Sequence, residues 1–87
     1  MKRFEELFAE LKEKIARADP ASRTVRELAE GPHGVGKKLV EEAAEAWMAA
    51  RFEGKARTAE EISQVLYHAQ VLMLSCGLEL EDVYRYL

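Results

Sequence analysis

Phe4, Leu7, Phe8, Leu11, Ile15 and Ala18 recur at the i, i+3, i+4, i+7 spacing of a helix with one apolar face. That first helix is expected to stop at Asp19-Pro20, because proline disfavours helical geometry in the residue before it. A short second helix is predicted from Thr24, where Thr24-Val25-Arg26-Glu27 fits a capping box, to Gly31-Pro32. A third runs from His33 or Gly34 to Glu53, with Gly54 as its stop. The fourth starts at Thr58, where Thr58-Ala59-Glu60-Glu61 again fits a capping box, and ends near Cys76-Gly77. A last short helix from Leu80 carries Val83, Tyr84 and Leu87. No segment combines period-two alternation with turn residues on both sides, so no strand is predicted. The expected fold is all-α: an antiparallel helical bundle of four to five helices forming a single domain over residues 1–87.

The two central helices carry more apolar surface than one small subunit can cover. Val35, Leu39, Val40, Ala43, Ala44, Ala46, Trp47, Met48 and Ala50 occupy well over half of the third helix's circumference. The fourth carries Ile62, Val65, Leu66, Tyr67, Ala69, Val71, Leu72, Met73 and Leu74. A helix apolar on most sides is buried on most sides. With 87 residues the chain has a marginal core of its own. Its single cysteine, Cys76, excludes an internal disulfide and a Cys-rich zinc site, and reads as a small core residue. Completion by a homodimer, or a tetramer, is therefore expected.

Composition narrows the class further. A hydrophobic fraction of 48% with 5 Gly and 2 Pro excludes a disordered or low-complexity chain. The net charge of −3 argues against a nucleic-acid partner, since such domains are usually basic. No apolar run approaches the roughly 18 residues that span a bilayer, so no membrane partner is expected. The opening MKRFEELFAELKEK alternates charge and hydrophobe, unlike a signal or transit peptide, and a cytoplasmic protein is expected.

The polar arc of the third helix holds the candidate chemistry. Lys37, Lys38, Glu41, Glu42 and Glu45 fall within about 140° of one another at the helical period. Glu42 and Glu45 are i, i+3 partners, and Glu41 and Glu45 are i, i+4 partners, so their carboxylates can converge. A hard divalent cation turns that repulsion into coordination, and Mg²⁺ is commonly shared with substrate phosphates. The lysines, one turn earlier, can face those phosphates. The competing reading is a solvated face with ordinary Lys37–Glu41 and Lys38–Glu42 pairs. On the fourth helix Glu61, Gln64 and His68 form a second polar stripe. There the competing readings are the capping box for Glu61 and a hydrogen-bonded helix-interface residue for His68. Gly31 to Lys38 resembles a phosphate-binding loop only in part, because Lys38 stands where Ser or Thr is required and no strand precedes it.

Taken in order, FEELFAELKEKI, the DPASRT turn, GVGKKLVEEAAEAWMAA, AEEISQVLYHAQVLM and GLELEDVYRYL resemble the phosphoribosyl-ATP pyrophosphohydrolase family over nearly the whole chain. That family belongs to the all-α MazG-type nucleoside triphosphate pyrophosphohydrolases, whose pattern is E-E-x-x-E followed by E-x-x-D. The resemblance places Glu41, Glu42 and Glu45 in the first motif and Glu61 at the start of the second. Gln64 stands where the aspartate is expected, offering a neutral carbonyl oxygen in its place. It implies hydrolysis of phosphoribosyl-ATP to phosphoribosyl-AMP and pyrophosphate, the second step of histidine biosynthesis. It also implies Mg²⁺ on Glu42, Glu45, Glu61 and Gln64, and dimers or tetramers. Lys37 and Lys38 are then the phosphate-binding candidates. Arg23, Arg26, His33 and His68 are candidate contacts to the rest of the substrate. A separate cyclohydrolase is expected to act on the product. The alternatives are a relative acting on another nucleoside triphosphate, or a non-catalytic helical dimerisation module.

Overall fold

The computed structural model describes residues 1–87, with five helices and no strand. These are α1 (Phe4–Arg17), α2 (Arg23–Ala29), α3 (Gly31–Phe52), α4 (Gly54–Ser75) and α5 (Leu80–Tyr84). The all-α expectation holds, and the boundaries differ in instructive ways.

α1 ends as its sequence suggests, with Ala18 in the left-handed region at φ 53° and its N–H on the carbonyls of Lys14 and Ile15. The cap of α2 is Ser22, whose hydroxyl accepts from the Val25 N–H, so the box expected at Thr24 does not form. Thr24 is instead buried, with its hydroxyl 2.8 Å from that of Tyr67 on α4. α3 begins at Gly31 rather than at His33 or Gly34, because Gly31 takes φ 78° and Pro32 fits the first turn. Gly54, at φ 86°, likewise lets α4 start four residues before Thr58. The Thr58 hydroxyl donates back to the Gly54 carbonyl at 2.7 Å, and no Thr58–Glu61 capping box exists. α5 has the capping box that pattern reading overlooked, with Glu79 and Asp82 exchanging bonds.

α3 and α4 form an antiparallel hairpin, which places Ala50 beside Thr58, Glu42 beside Glu61 and Leu39 beside Leu72. α1 packs across α4, where the buried Gln70 amide donates to the Phe4 carbonyl at 2.9 Å. The buried apolar side chains are few: Phe8, Leu11, Val35, Ala49 and Val71. Leu7, Tyr67, Leu72 and Leu74 close around the centre of that group. Large apolar side chains of the hairpin stay open, with Trp47 72% and Val40 68% exposed and Phe52, Ile62 and Leu66 also exposed. The surplus of apolar surface read from the sequence is therefore present in the fold. Cys76 corrects its own expectation: it lies exposed at the end of α4, not in the core.

Candidate active site

One turn of α3 and the first half of α4 bring three carboxylates together. An oxygen from each of Glu42, Glu45 and Glu61 lies within 4.8 Å of the others. Glu45 is exposed, Glu42 half-buried and Glu61 buried. Burial pushes the Glu42 carboxyl above its ordinary pKa, and its contacts with Glu61 and Glu45 push in the same direction. Glu61 accepts a 2.7 Å bond from Arg57 on one oxygen, while its other oxygen is buried without a partner. Such an orphaned acceptor is costly unless something with positive charge completes it. Three oxygen donors and no nitrogen or sulfur suit a hard divalent cation such as Mg²⁺.

Arg57 is a site neighbour that sequence reading passed over. It ties to Glu53, Glu60 and Glu61 along one helical face, a pattern visible as i, i±4 and i+3 spacings. Glu41 is exposed and stands outside the three-carboxylate cluster. Lys37 is exposed and free of ion pairs, whereas Lys38 lies 3.8 Å from Glu30. Gln64 is half-buried one turn beyond Glu61, and its side chain makes no hydrogen bond. Its backbone carbonyl accepts from His68 Nδ1 at 2.8 Å.

That bond fixes the His68 tautomer, because a carbonyl can only accept. The ring is 1% exposed, with Nε2 lying 3.4 Å from Arg23 Nη2 and 3.5 Å from Glu27 Oε2. Arg23 also donates to Glu27 Oε1 at 2.9 Å, and this bond raises the arginine's pKa. Glu27, expected to close a capping box with Thr24, is instead a buried acid paired i, i+4 with Arg23. His68 is thus the hydrogen-bonded interface residue of the second alternative, and it supports Arg23. Arg26 is committed elsewhere, to the carbonyls of Pro20 and Ala21, and so pins the turn before α2. His33 is exposed on the first turn of α3, away from this network.

A family model described as Phosphoribosyl-ATP pyrophosphohydrolase matches residues 1–87. The chain belongs to that family. A protein of Salinibacter ruber called phosphoribosyl-ATP pyrophosphatase is 66% identical over 87 residues, covering all of both chains. Proteins of the same description from Bifidobacterium adolescentis and Bifidobacterium animalis subsp. lactis are 59% and 56% identical over 85 residues, 98% of each chain. In this chain two carboxylates of α3, Glu42 and Glu45, face that of Glu61 on α4.

Proposed function

We propose that the protein hydrolyses phosphoribosyl-ATP to phosphoribosyl-AMP and pyrophosphate in histidine biosynthesis, and depends on Mg²⁺ held by Glu42, Glu45 and Glu61. The observation that carries the metal site is the cluster of three carboxylates, one of which, Glu61, also keeps a buried oxygen without a partner. Full-length similarity to phosphoribosyl-ATP pyrophosphatases supports the substrate. A bound divalent ion supplies charge neutralisation for the phosphates and an acidified water. Glu41 or another carboxylate of the set orients the attacking water or accepts its proton. Lys37 and Lys38 stabilise the negative charge that develops on the pyrophosphate. Gln64 lends a neutral oxygen beside Glu61 and keeps the charge of the site one unit lower than an aspartate there.

A second copy of the chain is part of this reading. Trp47, Val40, Phe52, Ile62 and Leu66 form an apolar face that a homodimer covers, or a tetramer. Sedimentation of a Trp47→Glu/Leu66→Glu variant should give a smaller species than wild type. The product then passes to a separate cyclohydrolase in the cytoplasm.

Incubation with phosphoribosyl-ATP and a panel of nucleoside triphosphates, with Mg²⁺ and then with EDTA, tests the activity. Pyrophosphate from phosphoribosyl-ATP with Mg²⁺ alone is expected. Release from other triphosphates but not from phosphoribosyl-ATP contradicts the substrate, and release in EDTA contradicts the metal.

A further inference from the structure

We propose that the cleft between the last turn of α1 and the start of α2 binds the 5′-phosphate on the second ribose of the substrate. The proposal rests on the reading of phosphoribosyl-ATP as that substrate. The cleft is about 470 Å³ and is lined by Lys14, Arg17, Asp19, Arg23 and Tyr67, with Thr24 behind them. That is within the roughly 300–1,000 Å³ of small-molecule sites.

Its charge is lopsided, three cations to one carboxylate. Asp19 Oδ1 accepts the Ala21 N–H at 2.9 Å. Lys14 pairs with Glu10 at 3.5 Å and Arg17 with Glu13 at 2.6 Å, both as exposed i, i+4 pairs. Such pairs hold their partners weakly. A phosphate dianion, with three acceptor oxygens, competes well for both cations.

Arg23 lines this cleft and reaches Glu27 and His68 on its inner side. Its Nε and Nη2 face Glu27 and His68, its guanidinium lies 4.9 Å from the Tyr67 ring centre, and Nη1 makes no hydrogen bond. Glu42 is also close enough to favour its charge. The arginine is therefore held rigidly with one edge to spare. Phosphoribosyl-ATP differs from a plain nucleoside triphosphate in bearing phosphate at both ends. A carboxylate cluster suited to the triphosphate through a cation, and a cationic cleft suited to the monophosphate, match that two-ended charge. The cleft is thus a specificity device, reading the group that ATP lacks.

Steady-state kinetics with phosphoribosyl-ATP test this in wild type, Lys14→Ala/Arg17→Ala and a control, Lys55→Ala. The double variant should raise KM by about tenfold or more, as expected for charged hydrogen bonds lost to one phosphate. Its kcat and Mg²⁺ activation constant should stay within about threefold of wild type, the signature of lost uniform binding. Arg17→Lys should keep most of the affinity. An unchanged KM in the double variant, or an equal rise in Lys55→Ala, overturns the proposal. A separate readout does not depend on turnover: titration with ribose 5-phosphate should shift the amide resonances of Lys14, Arg17 and Arg23. Absence of those shifts overturns the subsite even if the enzyme is active. Shifts with no hydrolysis of phosphoribosyl-ATP uphold the subsite and contradict the functional reading alone.

Discussion

Replacing Glu45 by glutamine removes one charge from the carboxylate cluster and almost nothing from the fold. Glu45 is exposed and makes no ion pair, so no attractive charge pair is lost. Its nearest consequence is electrostatic, because its carboxylate sits within 4.8 Å of those of Glu42 and Glu61. Two like charges at that distance repel by about 1 kcal/mol in a water-like dielectric, and solvent around Glu45 keeps the effect near or below that figure. In EDTA, Glu45→Gln should therefore be as stable as wild type or more stable, by up to about 1 kcal/mol. With Mg²⁺ the order reverses. Wild type should gain about 2.7 kcal/mol at a hundredfold excess over Kd, and the variant far less. Pyrophosphate release from phosphoribosyl-ATP should fall by a factor of at least about a hundred in the variant. Thermal melts with and without Mg²⁺, together with a pyrophosphate-coupled assay, give all three quantities. Wild-type turnover with an unchanged Mg²⁺ requirement refutes the assigned site. A metal-free variant less stable than wild type refutes the electrostatic reasoning.

The raised pKa of Glu42 means that the folded protein holds a proton more tightly than the unfolded chain does. Metal-free stability from this group is present at low pH and is lost as pH rises from the ordinary value of 4.5 through the raised one. Denaturant melts in EDTA should show a shallower decline for Glu42→Gln across that window; an identical slope excludes Glu42 as its source. Two glycines of α3 should respond with opposite signs. A Cβ on Gly34 would lie 2.8 Å from Glu30 Cβ, so Gly34→Ala should destabilise by about 1–2 kcal/mol. Gly36 has open space and ordinary helical backbone, and Gly36→Ala should stabilise by about 0.5–1 kcal/mol. Urea titration decides both, and equal signs contradict the packing at Glu30. Thr24→Val leaves the Tyr67 hydroxyl without its 2.8 Å partner and should cost about 1–2 kcal/mol in the same assay.

Helix content, the open apolar face and the convergence of Glu42 with Glu45 were legible because they depend on periodicity alone. What periodicity could not reach was the choice among local signals. Thr24 and Thr58 both head acceptable capping boxes, yet Ser22 caps α2 and Gly54 starts α4 early, which leaves those threonines inside their helices. The side chains released from capping take tertiary roles: Thr24 meets Tyr67, and Glu61 meets Glu42. Of the three α3 glutamates, only the antiparallel register of α4 decides that Glu42 and Glu45 face Glu61 while Glu41 stands outside. Arg26 shows the same limit from the other side. Its place in the least regular part of the chain made it a candidate contact, and in the fold it bonds the carbonyls of Pro20 and Ala21. Cys76 was misread because an apolar neighbourhood in sequence does not put a helix end in the core.

Calorimetric titration of Mg²⁺ into the metal-free protein tests the central claim most directly. The account predicts measurable binding in wild type that Glu61→Gln abolishes, since glutamine cannot supply a charged oxygen at the buried, unpartnered position. It also predicts that Glu41→Gln binds the ion as wild type does. Equal affinity in wild type and Glu61→Gln would contradict the claim that these carboxylates hold the ion.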